Sequence, residues 1–130
     1  MKQIINLFGE TTSTTGVISF TGQPGLQSVS QFSIPQGAKL KIYRIAVDGN
    51  AAVITLQYTP NAAASSPTWY PVEQITTTAA GHLVDEYKTR PLVLYGMAGT
   101  EAIQVTYSQS TVGGTAVAIL AEMSEEEEED

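Results

Sequence analysis

The sequence contains no cysteine, so it can form neither a disulfide framework nor a thiolate nucleophile nor a cysteine-ligated zinc site. His82 is the single histidine, so most of the acid–base chemistry that enzymes obtain from imidazole is excluded. No stretch approaches the ~20 consecutive apolar residues that a membrane-spanning helix needs. The first ten residues carry one lysine and a broken apolar run, which is a poor secretory signal. We therefore expect a protein made in a cytoplasm, with no membrane partner.

Charge is scarce and unevenly placed. Charged residues make up 15% of the chain, against about 25% in a typical globular domain. Residues 1–121 hold as many acids as bases, so the net charge of −7 comes from Glu122 and from the run 125–130. Like charges in a row repel one another and bury nothing, so we expect residues 122–130 to form a disordered acidic tail. The neutral body lacks the basic footprint of a nucleic-acid-binding protein.

The remaining sequence has the pattern of short strands. Its 130 residues suit one domain, and apolar runs recur at intervals of about ten residues, separated by Gly and Pro. Ile103, Val105 and Tyr107 alternate with polar residues, the period of a strand with one buried face. We predict an all-β protein, an antiparallel β-sandwich or jelly-roll-like domain of about eight or nine short strands over residues 17–121. Residues 1–16 are expected to form an N-terminal segment or extended arm.

Turn chemistry predicts the connections. Asp48-Gly49-Asn50 lies between two strand-like runs, and Asp-Gly supplies the positive φ angles of tight hairpin turns. This pattern predicts a hairpin of residues 39–47 with 51–59. Gly113-Gly114 predicts a second one, joining 102–109 to 115–121. The small, polar segment 61–68 is expected to be a long hairpin tip that is either mobile or held by another part of the chain.

Nothing in the sequence marks a catalytic, cofactor-binding or metal site. An extended chain would place His82 and Glu86 on one face but about 13 Å apart, too far to share an ion without a bend. No serine lies in a nucleophile-elbow motif, and no glycine-rich phosphate loop opens a helix. We expect a protein that is not an enzyme and that needs no cofactor or metal.

Two groups of residues are candidates for partner contacts. The Thr-rich segment after Gly9 would be an arm that orders on a partner. Trp69 and Tyr70 follow the predicted tip and are expected mainly to pack or to lie in a protein interface, with a ligand-stacking role as the alternative. The candidate contact residues are Thr11, Thr12, Thr14, Thr15, Trp69 and Tyr70.

Several segments resemble one family. The runs 53–60, 68–72, 90–96 and 101–109 are similar to parts of the small β-sandwich capsid decoration (cement) proteins of tailed viruses. The similarity covers roughly residues 39–121 and includes no diagnostic invariant motif. It implies a jelly-roll-like, often trimeric protein that is made in the host cytoplasm and binds the major capsid protein on the virion surface.

Three functions are therefore open. The first is a structural accessory protein that stabilises a capsid from outside. The second is a glycan- or receptor-binding module of a virion tail or fibre that uses the Trp69 region. The third is an acidic-tailed chaperone for basic proteins, which would depend on residues 122–130.

Overall fold

The computed structural model describes residues 2–20, 30–49, 51–77, 81–86, 91–109 and 114–125, with the backbone alone for 81–86. The prediction of an all-β protein is confirmed. Among the described residues, no helix is long and apolar enough to cross a membrane. The described strands are β1 (Gln3–Glu10), β2 (Thr15–Val17), β3 (Phe32–Ser33), β4 (Ala38–Gly49), β5 (Ala52–Thr59), β6 (Tyr70–Thr77), β7 (Gly81–Glu86), β8 (Leu92–Tyr95), β9 (Ala102–Gln109) and β10 (Ala116–Glu125).

The strands form two antiparallel sheets. Sheet A has the order β1-β10-β4-β7, with β8 pairing a further stretch of β4. Sheet B has the order β2-β9-β5-β6, with β3 pairing a further stretch of β9. β7 and β8 thus act as one interrupted edge strand, and so do β2 and β3. Counted this way, the fold has two sheets of four strands with the chain passing repeatedly between them, which is the arrangement of a jelly roll.

The core lies between the sheets, and the predicted alternation supplies it. Ile103, Val105 and Tyr107 of β9 are buried, and so are Ile54 and Leu56 of the neighbouring β5. Val117 and Ile119 of β10 face them from sheet A. Full burial of each aliphatic side chain contributes about 1.5–3 kcal/mol relative to exposure. The period of two therefore determines which face of each strand is the inner one.

Both tight-hairpin predictions are wrong. β4 lies in sheet A and β5 in sheet B, and β9 and β10 are likewise in different sheets. Each central strand already has a partner on both sides: β4 has β10 and β7, and β5 has β9 and β6. The chain instead passes to the other sheet after β4 and again after β9, and Gly49 and Gly114 lie next to each other. A Cβ on Gly49, whose φ is +141°, would lie 2.5 Å from the carbonyl oxygen of Gly114.

The long hairpin tip is confirmed. β5 pairs with β6 from Ala52–Thr77 to Tyr58–Tyr70, and residues 60–69 connect them. The tip is held by the loop before β9. Ala62 N donates to Thr100 O at 2.8 Å, and Thr100 Oγ1 donates to Pro60 O at 2.8 Å.

The two ends of the chain differ from the expected arm and tail. Residues 3–10 form β1, which pairs with β10 and places Ile5 and Leu7 in the core. Ile5 and Leu7 alternate with the exposed Asn6 and Phe8, and this pattern of one buried face is why the segment forms a strand and not an arm. At the other end β10 continues to Glu125, with Ser124 buried. Residues 126–130 of the expected tail lie outside the described residues.

Candidate protein-interaction surface

On the outer face of sheet B, the positions that alternate with the core carry uncharged side chains. The face alternates with the core positions of β2, β5, β6 and β9, so its members are cross-strand neighbours. Thr15, Ser108, Val53 and Thr76 form one row across the four strands. We call this surface the uncharged face; its partly or fully exposed members are Thr15, Val17, Val53, Thr55, Gln57, Gln74, Thr76, Thr106 and Ser108.

Side-chain hydrogen bonds order part of this face. Gln74 Nε2 donates to Thr55 Oγ1 at 3.3 Å across the β5–β6 pair. Gln104 Nε2 donates to Gln57 Oε1 at 2.8 Å across the β5–β9 pair. These bonds restrict long amide side chains that would otherwise lose rotamer freedom on binding. The face therefore presents donors and acceptors in fixed positions.

The face shares one compositional feature with the cores of protein interfaces: it lacks charged side chains. Solvated protein surfaces typically carry about 25–35% charged residues, whereas the cores of protein interfaces are depleted of Lys, Glu and Asp. Uncharged amides and hydroxyls can form direct and water-mediated hydrogen bonds without the desolvation cost of an ion. The uncharged face could have been found in the sequence, because the polar positions of β5 and β9 are Thr, Gln and Ser.

Of the six predicted contact residues, Thr15 alone lies on the uncharged face. Thr11 is 3% exposed and faces the interior. Its Oγ1 accepts hydrogen bonds from Gln109 Nε2 at 2.9 Å and from Thr115 N at 3.1 Å. Thr14 O accepts from Gln109 N at 2.8 Å. This segment is fixed to the end of β9 by its own hydrogen bonds.

Tyr107 holds the same segment from the core side. Its hydroxyl accepts from Thr12 N at 3.2 Å and lies 3.3 Å from Ser13 Oγ. A Cβ on Gly16 would lie 3.1 Å from that hydroxyl, so glycine leaves room for it. The hydrogen bonds with Ser13 and Thr12 outweigh burial and lower the pKa of Tyr107 to about 8.

Trp69 and Tyr70 lie at the opposite edge of sheet B. Tyr70 pairs with Tyr58 and is 53% exposed, while Trp69 is partly buried. Thr15 and Tyr70 are three strand spacings apart across the sheet and about five residues apart along the strands. The distance between them is therefore roughly 20 Å. The structure therefore does not bring the two predicted groups together.

Glu101 is a structural carboxylate. It is 4% exposed and accepts hydrogen bonds from the backbone N–H groups of Met97 at 2.9 Å, Ala98 at 3.0 Å and Gly99 at 3.0 Å. Burial acts to raise the pKa of Glu101, but the backbone donors outweigh it and the pKa is lowered. The carboxylate thereby orders the loop that holds the 60–69 tip.

No metal site is visible in the part of the chain that the structure describes: no three Asp, Glu, His or Cys residues there are placed to hold one ion. The predicted His82–Glu86 run is extended, since it belongs to β7. The positions of the His82, Asp85 and Glu86 side chains lie outside the described part.

No protein-family model matches the sequence, and no curated protein matches it. Solved structures do match over most of the chain. One is a chain from infectious bursal disease virus, Gx strain, with 10% identity over 99% of this chain and 34% of that one, at a TM-score of 0.49. A second, from the pili of Bacillus endospore appendages, has 8% identity over 96% and 87% of the two chains, at a TM-score of 0.48. A third, a CBM4 carbohydrate-binding module, has 12% identity over 86% and 81%, at a TM-score of 0.43.

The chain spans about a third of the viral protein it matches. At these identities the similarities concern the fold alone.

Proposed function

We propose that the protein is a structural accessory protein that binds the outside of a viral capsid and stabilises it, as decoration proteins do. The observation that carries the proposal is the uncharged face. Its hydroxyl and amide groups suit a broad, wet contact with another protein surface. The resemblance of residues 39–121 to decoration proteins supports the same function.

The partner in this proposal is the major capsid protein, and the protein resides on the virion surface after synthesis in the host cytoplasm. Self-association belongs to the proposal, and the resemblance implies a trimer. Catalysis, nucleic acid and membranes have no part in it.

The contact should depend little on salt. Ionic strength screens interactions between charges, and the uncharged face has none to screen. Binding by an acidic tail to a basic partner would instead weaken steeply as salt is added. Salt dependence therefore separates contact through the face from contact through the tail.

The experiment is to mix the purified protein with undecorated particles, to count bound copies at low and high salt, and to measure the heat resistance of the particles. We expect saturable binding that salt changes less than about threefold, together with greater heat resistance. Absence of binding at both salt concentrations would refute the proposal. Binding that salt abolishes would assign the contact to charged residues elsewhere in the chain.

A second candidate is glycan binding, which one observation favours. Tyr70 is 53% exposed beside Trp69, and the tip that precedes them is fixed by its bonds to Thr100. An exposed tyrosine on an ordered strand offers an apolar ring face with a polar end. Screening against a glycan array would detect this activity. Trp69→Ala should abolish it, whereas Tyr95→Ala, which alters an exposed aromatic elsewhere, should not.

A further inference from the structure

β1 differs from the other strands that lie at the edges of the two sheets. Sheet A is bounded by β1 and by the pair β7 and β8, and sheet B by β6 and by the pair β2 and β3. The paired edge strands are short and interrupted, and β6 contains Pro71 and an irregularity in its register with β5. β1 runs for eight residues in unbroken register with β10 and contains no proline. Short strands, prolines and bulges protect an edge from pairing with other chains, and β1 has none of these protections.

The backbone groups of β1 that point away from β10 belong to its even-numbered residues. Thr11 N donates to Thr115 O on the β10 side, and the N–H and C=O groups of alternate residues point to the same side of a strand. The odd-numbered residues of β1 therefore face β10, whereas Ile4 and Phe8 direct their N–H and C=O groups to the other side. Among the strands that the structure describes, only β10 pairs with β1.

The same even-numbered positions carry exposed apolar side chains. Ile4 is 57% exposed and Phe8 is 43% exposed. Both lie on the outer face of sheet A, since they alternate with buried residues of the strand. The segment after β2 approaches β1 from the inner side: a Cβ on Gly9, which would point inward, would lie 2.6 Å from Ser19 O. A strand added at the edge of β1 would cover both apolar side chains on the outer side.

We propose that β1 pairs antiparallel with β1 of a second copy of the chain, about a twofold axis at Asn6. Sheet A then continues from one copy into the other. In this register Ile4 of one copy lies beside Phe8 of the other, and Lys2 lies beside Glu10. Each pair occurs twice by symmetry. This inference goes beyond the proposed capsid function and does not depend on it.

The side chains of β1 complement one another in this register, which is why a second copy is the expected occupant. Apolar pairs and opposite charges directly across an antiparallel ladder are favourable. The register sets the exposed Lys2 against the exposed Glu10 at both ends of the contact. Moving the axis by one residue in either direction would separate these charges. It would also set an apolar side chain, Ile4 or Phe8, against Asn6.

The backbone geometry agrees with the same register. Even-numbered residues lie opposite one another, so the groups of Ile4 and Phe8 that point away from β10 meet directly. The two residues of such a pair exchange both N–H···O bonds. The pairs between Ile4 and Phe8 therefore give about six backbone hydrogen bonds. Strand addition takes its affinity from main-chain hydrogen bonds, and the covered area is small, so we expect a weak dimer that depends on concentration.

A twofold contact yields dimers, whereas the resemblance to decoration proteins implies trimers. Sedimentation equilibrium over a wide concentration range separates the two. We expect a monomer–dimer equilibrium of the 13.8 kDa chain. A mass that stays monomeric throughout, or that approaches a trimer, would overturn the proposal.

Ile4→Pro tests the edge itself. Proline removes the N–H that points away from β10 and leaves the bonds to β10 in place, as in natural edge strands. The dissociation constant should rise by about tenfold or more, since the loss occurs twice in the dimer. Tyr70→Ser, which removes an exposed side chain from the edge of sheet B, should leave the constant unchanged. Circular dichroism would show that both variants are folded, and equal effects of the two would contradict the proposal.

Exchanging the two charges tests the register. Lys2→Glu sets a glutamate against Glu10, and Glu10→Lys sets a lysine against Lys2, so each substitution should weaken the dimer several-fold. High salt should reduce both effects. The double variant restores opposite charges and should dimerise like the natural protein. A double variant as weak as the single ones would show that the two positions do not meet.

A cysteine at the axis tests the symmetry. The Cα atoms of a hydrogen-bonded antiparallel pair are about 5.5 Å apart, which a disulfide can span. The chain has no cysteine, so Asn6→Cys introduces a single thiol that should form a disulfide-linked dimer on oxidation. Thr106→Cys, on the uncharged face, should stay monomeric. A monomeric Asn6→Cys variant, or a dimer from the control alone, would contradict the arrangement.

Discussion

Thr11 and Gln109 are joined by a buried side-chain hydrogen bond in which Gln109 Nε2 donates to Thr11 Oγ1 at 2.9 Å. The same amide donates to Ser13 O at 2.7 Å, and its Oε1 accepts from Thr115 Oγ1 at 2.8 Å. The residues after β1, the end of β9 and the start of β10 are therefore fixed to one another. The network closes the end of the sandwich where the chain crosses between sheets.

Replacing Thr11 by Val should destabilise the fold. The substitution retains the shape of the side chain but removes, in a buried place, the oxygen that accepts from both the Gln109 amide and the Thr115 N–H. We expect a loss of about 1–3 kcal/mol in the free energy of unfolding. Denaturant unfolding measures it, with exposed Thr15→Val as the control, for which a change within about 0.5 kcal/mol is expected. Equal losses for the two variants would show that the network contributes nothing.

Stability should fall in acid through Glu101. Its pKa is lower in the folded protein than the ordinary 4.5, so the folded state favours the ionised form. The stabilisation is complete above the unfolded pKa and is lost as pH falls through the folded one. At pH 6 we expect Glu101→Gln to be about 1–3 kcal/mol less stable than the natural protein.

The difference between Glu101→Gln and the natural protein should shrink as the pH is lowered toward 3. Denaturant unfolding at several pH values would follow it. The exposed Glu10→Gln variant serves as the control and should track the natural protein. A gap that stays constant with pH would show that ionisation of Glu101 is not the cause.

Tyr107 should ionise at an unusually low pH. Its pKa of about 8 predicts one step in tyrosinate absorbance near pH 8 that Tyr107→Phe removes and Tyr95→Phe retains. Because the pKa is lower in the folded state than in the unfolded one, ionisation of Tyr107 stabilises the fold. This contribution is complete above the unfolded value near 10 and is lost as pH falls through about 8. If the Phe variant retained the step, another tyrosine would be responsible.

Gly96→Ala should be far more disruptive than Gly37→Ala. A Cβ on Gly96 would lie 2.0 Å from the carbonyl oxygen of Pro35, so the backbone of one loop would have to move. Gly37 has a φ of +81° but open space around its Cβ position, so alanine there costs about 1–2 kcal/mol from conformation alone. Thermal unfolding of the two variants ranks them. The opposite order would show that the loop around Pro35 adapts readily.

The inner faces of the strands could be predicted from the sequence, because burial follows the period of two. Ile103, Val105 and Tyr107 illustrate this success. The tight hairpins could not, because Asp48-Gly49 provides the same backbone freedom whether the chain returns to its own sheet or crosses to the other. Which one occurs depends on the strands that already flank β4 and β5.

The arrangement of the surface was harder to predict. β1 was missed because Ile4 and Phe8 are apolar on its outer side, which obscures the alternation of Ile5 and Leu7 with polar residues. The outer face of sheet A combines β1, β4 and β10, strands from the beginning, middle and end of the chain. No local pattern relates Phe8, Ala46 and Ala118, and only the register of β1, β10 and β4 places them side by side.

If the uncharged face binds the capsid, a charge placed at the centre of the face should weaken that binding. Thr55→Lys adds a cation that must lose its hydration in the contact, whereas Gln36→Lys adds the same charge on an exposed turn at the end of the sandwich. The measurement is the number of copies bound per undecorated particle. We expect Gln36→Lys to bind like the natural protein and Thr55→Lys to lose at least about 30-fold in affinity. Undiminished binding of folded Thr55→Lys would contradict it.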